Sequence, residues 1–578
     1  MIAEPEPRTA TRTEPRTMTG ADMVLECLER EGVEVIFGYP GGANLPIYQR
    51  LPDHPRLKHI LVRHEQGAAH MADGYARAGG KPGIVFATSG PGALNLVTGL
   101  ATAFMDSVPM IAVTGQVASS MVGRDAFQES DVIGCTQPVT KHTFLVKHVS
   151  EIPRAFKEAF HIATTGRPGP VLIDVCKDAQ QATGEFEYPD SVDLPGYRPH
   201  HDADLSQLDR VAEVLAAAER PVILAGHGVI LSHAEQELLA IAERAGIPVG
   251  TTLLGIGAFP VDHPLSLHMT GFMGTGWCVK AVQNADVLLM VGMRVDDRVT
   301  AKLDEWAPRA EQFIHIDIDP SEMGKNVRPH FEVVSDAKQA LTELAPRIQE
   351  APAGRRQWIT QIDAWREEHP LRYTQSNGHL QPQDVLIEMY KRCRSEAIVV
   401  TDVGQNQIWA ALWWNYKRPG LFINSGGAGT MGFALPAAIG AQVARPDLAV
   451  WCVAGEGGFV MTAQEMSVAI DQRLPIKVVL LNNFSLGMVR QFQDDYYGGV
   501  RSEVDLSVMP DFVKLADAYG WTGMTVHTHA ELAGAFDRAE ATPGPVLIDF
   551  RVDPEANVYP IVPLGKGLDA FQEAPYDQ

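Results

Sequence analysis

The chain has 578 residues, 45% of them hydrophobic and 21% charged, a globular composition long enough for about three domains of ordinary size. A formal net charge of −23 argues against nonspecific partnership with nucleic acid or an anionic membrane surface, since both would repel it. Its six cysteines are scattered without a CxxC pair and no apolar run reaches ~20 residues, so a zinc motif and a membrane span are not expected and a reducing cytoplasm is.

Residues 1–18 lack a hydrophobic segment and carry Glu4, Glu6 and Glu14, which predicts a disordered tail rather than a secretory or transit peptide. From residue 19 apolar strands alternate with amphipathic helices. HILVR, GIVFATSGPG and PMIAVTGQ are separated by helical stretches such as GAAHMADGYARA, and the run ends at RPGPVLIDV (167–175). The Pro- and Asp-rich YPDSVDLPGYRPHHDAD is a linker to a second unit, 200–350, with strands PVILAGHG, PVGTTL, DVLLMVGMR and FIHIDID. A third unit, 378–556, places AIVVTDVG, LAVWCVAG and IKVVLLNN before TPGPVLIDF (542–550), an echo of the end of the first; residues 557–578 form a C-terminal segment. The expected fold is α/β, three doubly wound parallel sheets with helices on both faces, the first spanning 19–185.

In the second unit the GHG at 226–228 follows a strand but lacks the rest of a GxGxxG fingerprint. The third unit is more informative. LAVWCVAG ends at Gly455 and IKVVLLNN at Asn483, with one helix between, and a right-handed crossover puts both strand ends on the sheet edge where ligands of such folds bind. Glu456 offers an anionic oxygen and Asn483 a neutral one, a set suited to Mg²⁺, while Gly457 and Gly458 leave backbone N–H groups open to a diphosphate. A tight turn followed by a strand cap would be the plainer reading of GEGG alone; the paired strand ends favour the clamp.

GEG with NN twenty-six residues on resembles the GDG…NN signature of thiamine diphosphate enzymes. SGGAGTMGFALPAAIGAQVA, LLNNFSLGMVRQF, RHEQGAAHMADGYARAGGKPG, TSGPGALN, TGQVASSMVGRDAFQESD and RVDDRVT are similar to the catalytic subunits of acetohydroxyacid (acetolactate) synthases. The resemblance implies pyrimidine-binding, middle and diphosphate-binding domains in that order, an active site at the interface of a homodimer or homotetramer, and a small regulatory subunit as partner. It implies that Glu65 hydrogen-bonds the aminopyrimidine, that Met431 bends the cofactor, that Gly404, Gln405, Asn406 and Gly429 contact it, and that the Ser485 carbonyl joins Glu456 and Asn483 on Mg²⁺.

Phe127, Gln128, Lys177 and Arg298 match positions at the entrance for 2-keto acid substrates, Gln128 also on the catalytic side. Met488 and Phe492 match the substrate pocket, Phe492 standing where the family usually has tryptophan. A structural FAD is implied at Gly226, Gly228, Arg294 and Asp317, although GFMGTGWCVK departs from the usual pattern there. The expected reaction joins the two-carbon part of pyruvate to a second 2-keto acid in branched-chain amino acid biosynthesis. The alternatives are another carboligase or decarboxylase of the superfamily, such as a catabolic acetolactate synthase, and a non-catalytic nucleotide-binding paralogue, for which the Glu in GEG is the best argument.

Overall fold

A computed structural model describes residues 16–199, 202–374, 378–393 and 396–575. Three six-stranded sheets, each wholly parallel, carry the architecture. The first contains β1 (Val35–Gly38), β2 (Lys58–Leu61), β3 (Gly83–Ala87), β4 (Met110–Gln116), β5 (His142–Val146) and β6 (Pro170–Cys176). The second contains β7 (Pro221–Ala225), β8 (Val249–Thr251), β9 (Ser266–Met269), β10 (Val287–Val291), β11 (Gln312–Asp317) and β12 (Phe331–Val334). The third contains β13 (Ile398–Thr401), β14 (Phe422–Asn424), β15 (Val450–Ala454), β16 (Lys477–Asn482), β17 (Thr522–Val526) and β18 (Val546–Arg551).

Their inner strands are apolar runs buried at nearly every residue, as parallel strands covered on both faces must be. The spatial order is β2-β1-β3-β4-β6-β5 in the first sheet and β14-β13-β15-β16-β18-β17 in the third. The same order of strands in both gives the PGPVLID echo its structural meaning, since each copy supplies the corresponding strand, β6 and β18. The middle sheet runs β9-β8-β7-β10-β11-β12, the doubly wound order of dinucleotide-binding folds.

Five helices position the chemistry: α1 (Glu65–Gly79), α2 (Gln405–Trp413), α3 (Ala434–Ala444), α4 (Glu456–Met461) and α5 (Gly487–Tyr496). Helix α1 opens with His64, whose Nδ1 accepts from the Gln66 N–H, and closes at Gly80, whose φ of 70° is the left-handed cap that glycine adopts without strain. Its Gly- and Ala-rich face lies directly on α3. Arg16–Thr19 pairs antiparallel with Thr183–Phe186, so residues 16–18, placed in the expected tail, belong to a strand that ties the start of the first unit to its end; residues 1–15 lie outside the described residues. Among the described residues no helix is long and apolar enough to cross a membrane.

Candidate active site

The order in which the chain adds strands to the third sheet reverses between β13 and β15, and the loops leaving these parallel strands open a crevice at their carboxyl ends. From β13 come Asp402, Gly404, Gln405 and Asn406; from β15 come Glu456, Gly457 and Gly458; from the adjacent β16 come Asn483 and Ser485. The Ser485 N–H donates to Glu456 Oε1 at 2.7 Å and to Asn483 Oδ1 at 3.2 Å, so both side-chain oxygens converge on one turn. Burial pushes the Glu456 carboxyl up to about 7, and no ion pair reaches it among the described residues. A buried carboxylate beside an amide oxygen, with no cation of its own, is the donor set a Mg²⁺ ion would complete, and the site fits that ion.

The space for a diphosphate is kept by glycines. A side chain at Gly455 or Gly404 would begin 3.4 or 3.5 Å from Asn406 Nδ2, the donor facing them. One at Gly457 would begin 2.9 Å from Leu486 and 3.6 Å from Met431 Cε, which places Met431 against the GEGG turn. Met431 lies in a turn three residues before α3, not at the helix start that its apolar context suggests. Asp402 fixes that turn. Its buried carboxylate accepts from the N–H groups of Val403, Gly432 and Ala434, and a Cβ on Gly458 would fall 2.1 Å from it. Burial raises this carboxyl to about 6 despite the three donors.

The first unit holds a second group. Glu65 is the first residue of α1, and its Oε2 accepts from Asn95 Nδ2 at 3.0 Å. A Cβ on Gly92 would lie 3.0 Å from Oε1, so that oxygen faces a wall without a side chain. Gln128 packs its backbone on Gly90 with a φ of 60°, and Phe127 beside it is 88% exposed. Lys177 begins the short helix that follows β6. Glu465, buried in the third unit, reaches across and accepts the Arg63 N–H with both oxygens, at 3.3 and 3.1 Å, bracing the turn that delivers Glu65. Among the described residues no hydrogen bond joins Glu65 to Met431 or Glu456 within the chain.

Where the three units meet lies a cavity of about 880 Å³, with Asp106 and Arg167 of the first unit on its wall. It starts at the switch point of the middle sheet, where the loops after β7 and β10 bring Gly228 and Arg294 together with Asp317 at the end of β11. It ends at Gly404, Gly429, Met488 and Phe492, with Arg298 on its wall. Burial lifts the Asp317 carboxyl to about 7. Its size and position at a switch point fit a dinucleotide such as FAD. The glycines at 226 and 228 also meet a packing need: a Cβ on either would strike the Gly292 turn at 2.3 or 2.6 Å, while Gly228 lines the cavity as well.

The predicted residues therefore fall into four groups, of which Gly226, Gly228, Arg294 and Asp317 form one at the switch point of the middle sheet. Gly404, Gln405, Asn406, Gly429, Met431, Glu456, Gly457, Gly458, Asn483 and Ser485 come together; Arg298, Met488 and Phe492 join them through the cavity; Glu65, Phe127, Gln128 and Lys177 belong to the first unit. Asp402, Glu465 and Asn95 were not anticipated. Asp402 precedes Val403-Gly404 at a strand end, a signal comparable to that of Glu456, and Asn95 closes the TSGPGALN motif, whereas nothing local marks Glu465.

Residues 18–135 match the description "Thiamine pyrophosphate enzyme, N-terminal TPP binding domain", residues 208–344 the central domain and residues 402–550 the C-terminal TPP binding domain of the same family. The chain is 47% identical over 573 residues to the acetolactate synthase of Mycobacterium leprae, covering 97% of this chain and 92% of that one. It belongs to the acetolactate synthase family of thiamine pyrophosphate enzymes. Among other members of that family, the acetolactate synthase large subunit of Corynebacterium glutamicum is 44% identical, over 97% of this chain and 91% of its own. The acetolactate synthase isozyme 3 large subunit of Escherichia coli is 43% identical, over 96% and 98%. The crevice at β13 and β15 thus lies within the segment matched to the C-terminal TPP binding domain of this acetolactate synthase family member.

Proposed function

We propose that the chain is a thiamine diphosphate-dependent acetolactate synthase. It removes carbon dioxide from pyruvate and joins the remaining two-carbon unit to a second 2-keto acid. The products are 2-acetolactate, or 2-aceto-2-hydroxybutyrate when the acceptor is 2-ketobutyrate, on the route to branched-chain amino acids. The observation that carries this reading is the convergence of Glu456, Asn483 and the GEGG turn at one sheet edge, in a chain alike over nearly its whole length to acetolactate synthases.

Bound thiamine diphosphate supplies a carbon nucleophile and an electron sink for the keto acid. The Glu456 carboxylate, the Asn483 side-chain oxygen and the Ser485 carbonyl would hold Mg²⁺, and the N–H groups of Gly404, Gly457 and Gly458 with Asn406 Nδ2 would bind the diphosphate. Met431 supports the bend between the two rings. Glu65, with Oε2 occupied by Asn95, holds and moves a proton at Oε1 toward the aminopyrimidine ring. Arg298 and Lys177 attract substrate carboxylates, Gln128 and Phe127 flank the entrance, and Met488 with Phe492 keeps water from the reacting carbon.

As the family resemblance implies, each complete site takes its pyrimidine half from a second copy, in a homodimer or homotetramer. The domains are a pyrimidine-binding domain at 19–185, a middle domain at 200–350 and a diphosphate-binding domain at 378–556, followed by the segment 557–578. FAD occupies the 880 Å³ cavity through Arg294 and Asp317 in a structural role. A small regulatory subunit is a partner, as the name "large subunit" of the relatives suggests, and the location is cytoplasmic.

The test is acetolactate formation from pyruvate by purified protein, with and without thiamine diphosphate and Mg²⁺. Glu65→Gln should lower turnover at least ~100-fold while cofactor binding stays within a few-fold, because an amide cannot pass the proton. Parent protein that forms no acetolactate in the presence of both cofactors would overturn the reading.

A further inference from the structure

A metal-binding asparagine must present its oxygen and turn its NH₂ away, and something has to enforce that choice. Asn483 lies at the end of three buried amides. Its Nδ2 donates to Gln405 Oε1 at 3.1 Å. Gln405 Nε2 donates in turn to Gln491 Oε1 at 3.1 Å and to the Ala556 carbonyl at 3.0 Å. Gln491, wholly buried on α5, meets the backbone of Val558 on both sides: Oε1 accepts its N–H at 2.9 Å and Nε2 donates to its carbonyl at 3.0 Å. A Cβ on Gly487 would fall 2.0 Å from Gln405 Oε1 and 2.5 Å from Asn483 Nδ2, so the first turn of α5 is shaped around this junction.

The polarity of the chain is determined from its far end. A backbone N–H can only donate and a carbonyl only accept, so Val558 allows Gln491 one orientation. With Oε1 of Gln491 and the Ala556 carbonyl both acceptors, Gln405 must turn Nε2 toward them and Oε1 toward Asn483. Asn483 must then spend Nδ2 on Gln405, and its Oδ1 is left on the side of Ser485 and Glu456. Reversing any one amide would set donor against donor or acceptor against acceptor in a site without water access, at a cost comparable to a lost buried hydrogen bond or more.

We propose that Gln491 is a positioning residue for the metal site: through Gln405 it dictates which face Asn483 shows to the cation, and so sets metal affinity from a helix whose neighbouring residues, Met488 and Phe492, line the substrate cavity. This rests on the reading of Asn483 as a Mg²⁺ ligand. Gln405 is one step removed from the metal ligand, where partners typically govern affinity 10–100-fold, and Gln491, one step further, acts at the lower end of that range.

The experiment is a titration of full-length protein with Mn²⁺ in the presence of thiamine diphosphate, followed by electron paramagnetic resonance of free Mn²⁺, with no turnover required. Gln491→Met has similar volume and no polarity, and should weaken Mn²⁺ binding about 10-fold. Gln491→Glu, neutral at this buried position, keeps one oxygen as acceptor for Gln405 Nε2 and the Val558 N–H and donates its O–H to the Val558 carbonyl, so it preserves the direction of the chain and should stay within about threefold of the parent. Tyr496→Phe removes another hydrogen bond between α5 and the same C-terminal segment, that to the Val562 carbonyl, without touching the amides, and should leave Mn²⁺ affinity unchanged. Thermal melts of each variant show whether it is folded.

Folded Gln491→Met with parental Mn²⁺ affinity would overturn the proposal. Equal weakening in all three variants would also overturn it, since α5 anchoring in general would then be the cause. A parent that binds no Mn²⁺ with thiamine diphosphate would instead overturn the reading of the metal site itself.

Discussion

Phe492 and Met488 face the cavity that also receives Arg298, and Phe492 stands edge-on to Phe272, ring centroids 6.5 Å apart, and against Tyr496 at 5.6 Å. The Arg298 guanidinium lies over the Phe272 ring at 5.2 Å, so one aromatic pair stands between the proposed carboxylate anchor and the proposed wall for the alkyl end of an acceptor. A pocket discriminates a single methylene by only ~1–3 kcal/mol, so the size of this wall decides much of the selectivity between pyruvate and 2-ketobutyrate as acceptor. Phe492→Trp should raise the ratio of acetohydroxybutyrate to acetolactate several-fold when both keto acids compete; an unchanged ratio places the selectivity on another wall. At this scale the sequence was readable where chemistry sits at consecutive strand ends, as with Glu456 and Asn483, because the crossover rule alone brings those together. Gln491 was not readable in the same way, and for Asp402 the strand end marks the residue but not its partners. Gln491 works through Val558, sixty-seven positions on, and Asp402 through N–H groups thirty and more positions on, and no local spacing encodes such pairings.

Helices α1 and α3 join the first and third units with their backbones almost in contact. A Cβ on Gly440 would sit 1.8 Å from the Met71 carbonyl oxygen, and one on Gly74 2.0 Å from that of Ala437. The obstacle on both sides is main chain, which cannot rotate away, so a single methyl has to push the helices apart. Gly440→Ala should therefore destabilise the fold by about 1–3 kcal/mol even though alanine is the better helix former. Urea unfolding followed by circular dichroism measures this, and a variant as stable as the parent would show that the helices can separate without loss. The doubly wound class and the repeat of the first unit in the third were legible from alternating apolar runs and the PGPVLID echo. The intimate helix contact was not, because GAAHMADGYARA and ALPAAIGAQVA read equally well as any Ala-rich core helix.

Across the whole molecule, the three units meet around Asp106. Its carboxylate accepts from Arg77 at 2.7 Å and from the N–H groups of Gly426 and Gly427, while its backbone carbonyl accepts from His227 Nδ1 at 3.0 Å. First, third and middle units thus share one buried junction beside the cavity. Buried ionisable groups recur throughout such a structure, and they pull stability in opposite directions with pH. His59, His70, His227 and His268 are held near 3 to 4 by burial, so the folded state takes up fewer protons than the unfolded chain and stability rises with pH up to about 6.5. Burial lifts Glu465 from 4.5 to about 7, and the sign reverses: the folded state keeps a proton that the unfolded chain has lost, so its contribution is complete below about 4.5 and gone above about 7. That contribution is on the order of 3 kcal/mol. Because the imidazoles oppose it over the same range, the pH profile of the parent alone does not reveal it. The comparison with Glu465→Gln does, since the amide keeps an acceptor for the Arg63 N–H and has nothing to titrate. In cofactor-free protein the stability of the variant relative to the parent should increase steadily from pH 4.5 to 7 and then level off, as followed by urea unfolding at each pH. A difference that stays constant over this range would mean that Glu465 is ionised throughout, its charge carried by the Arg63 turn.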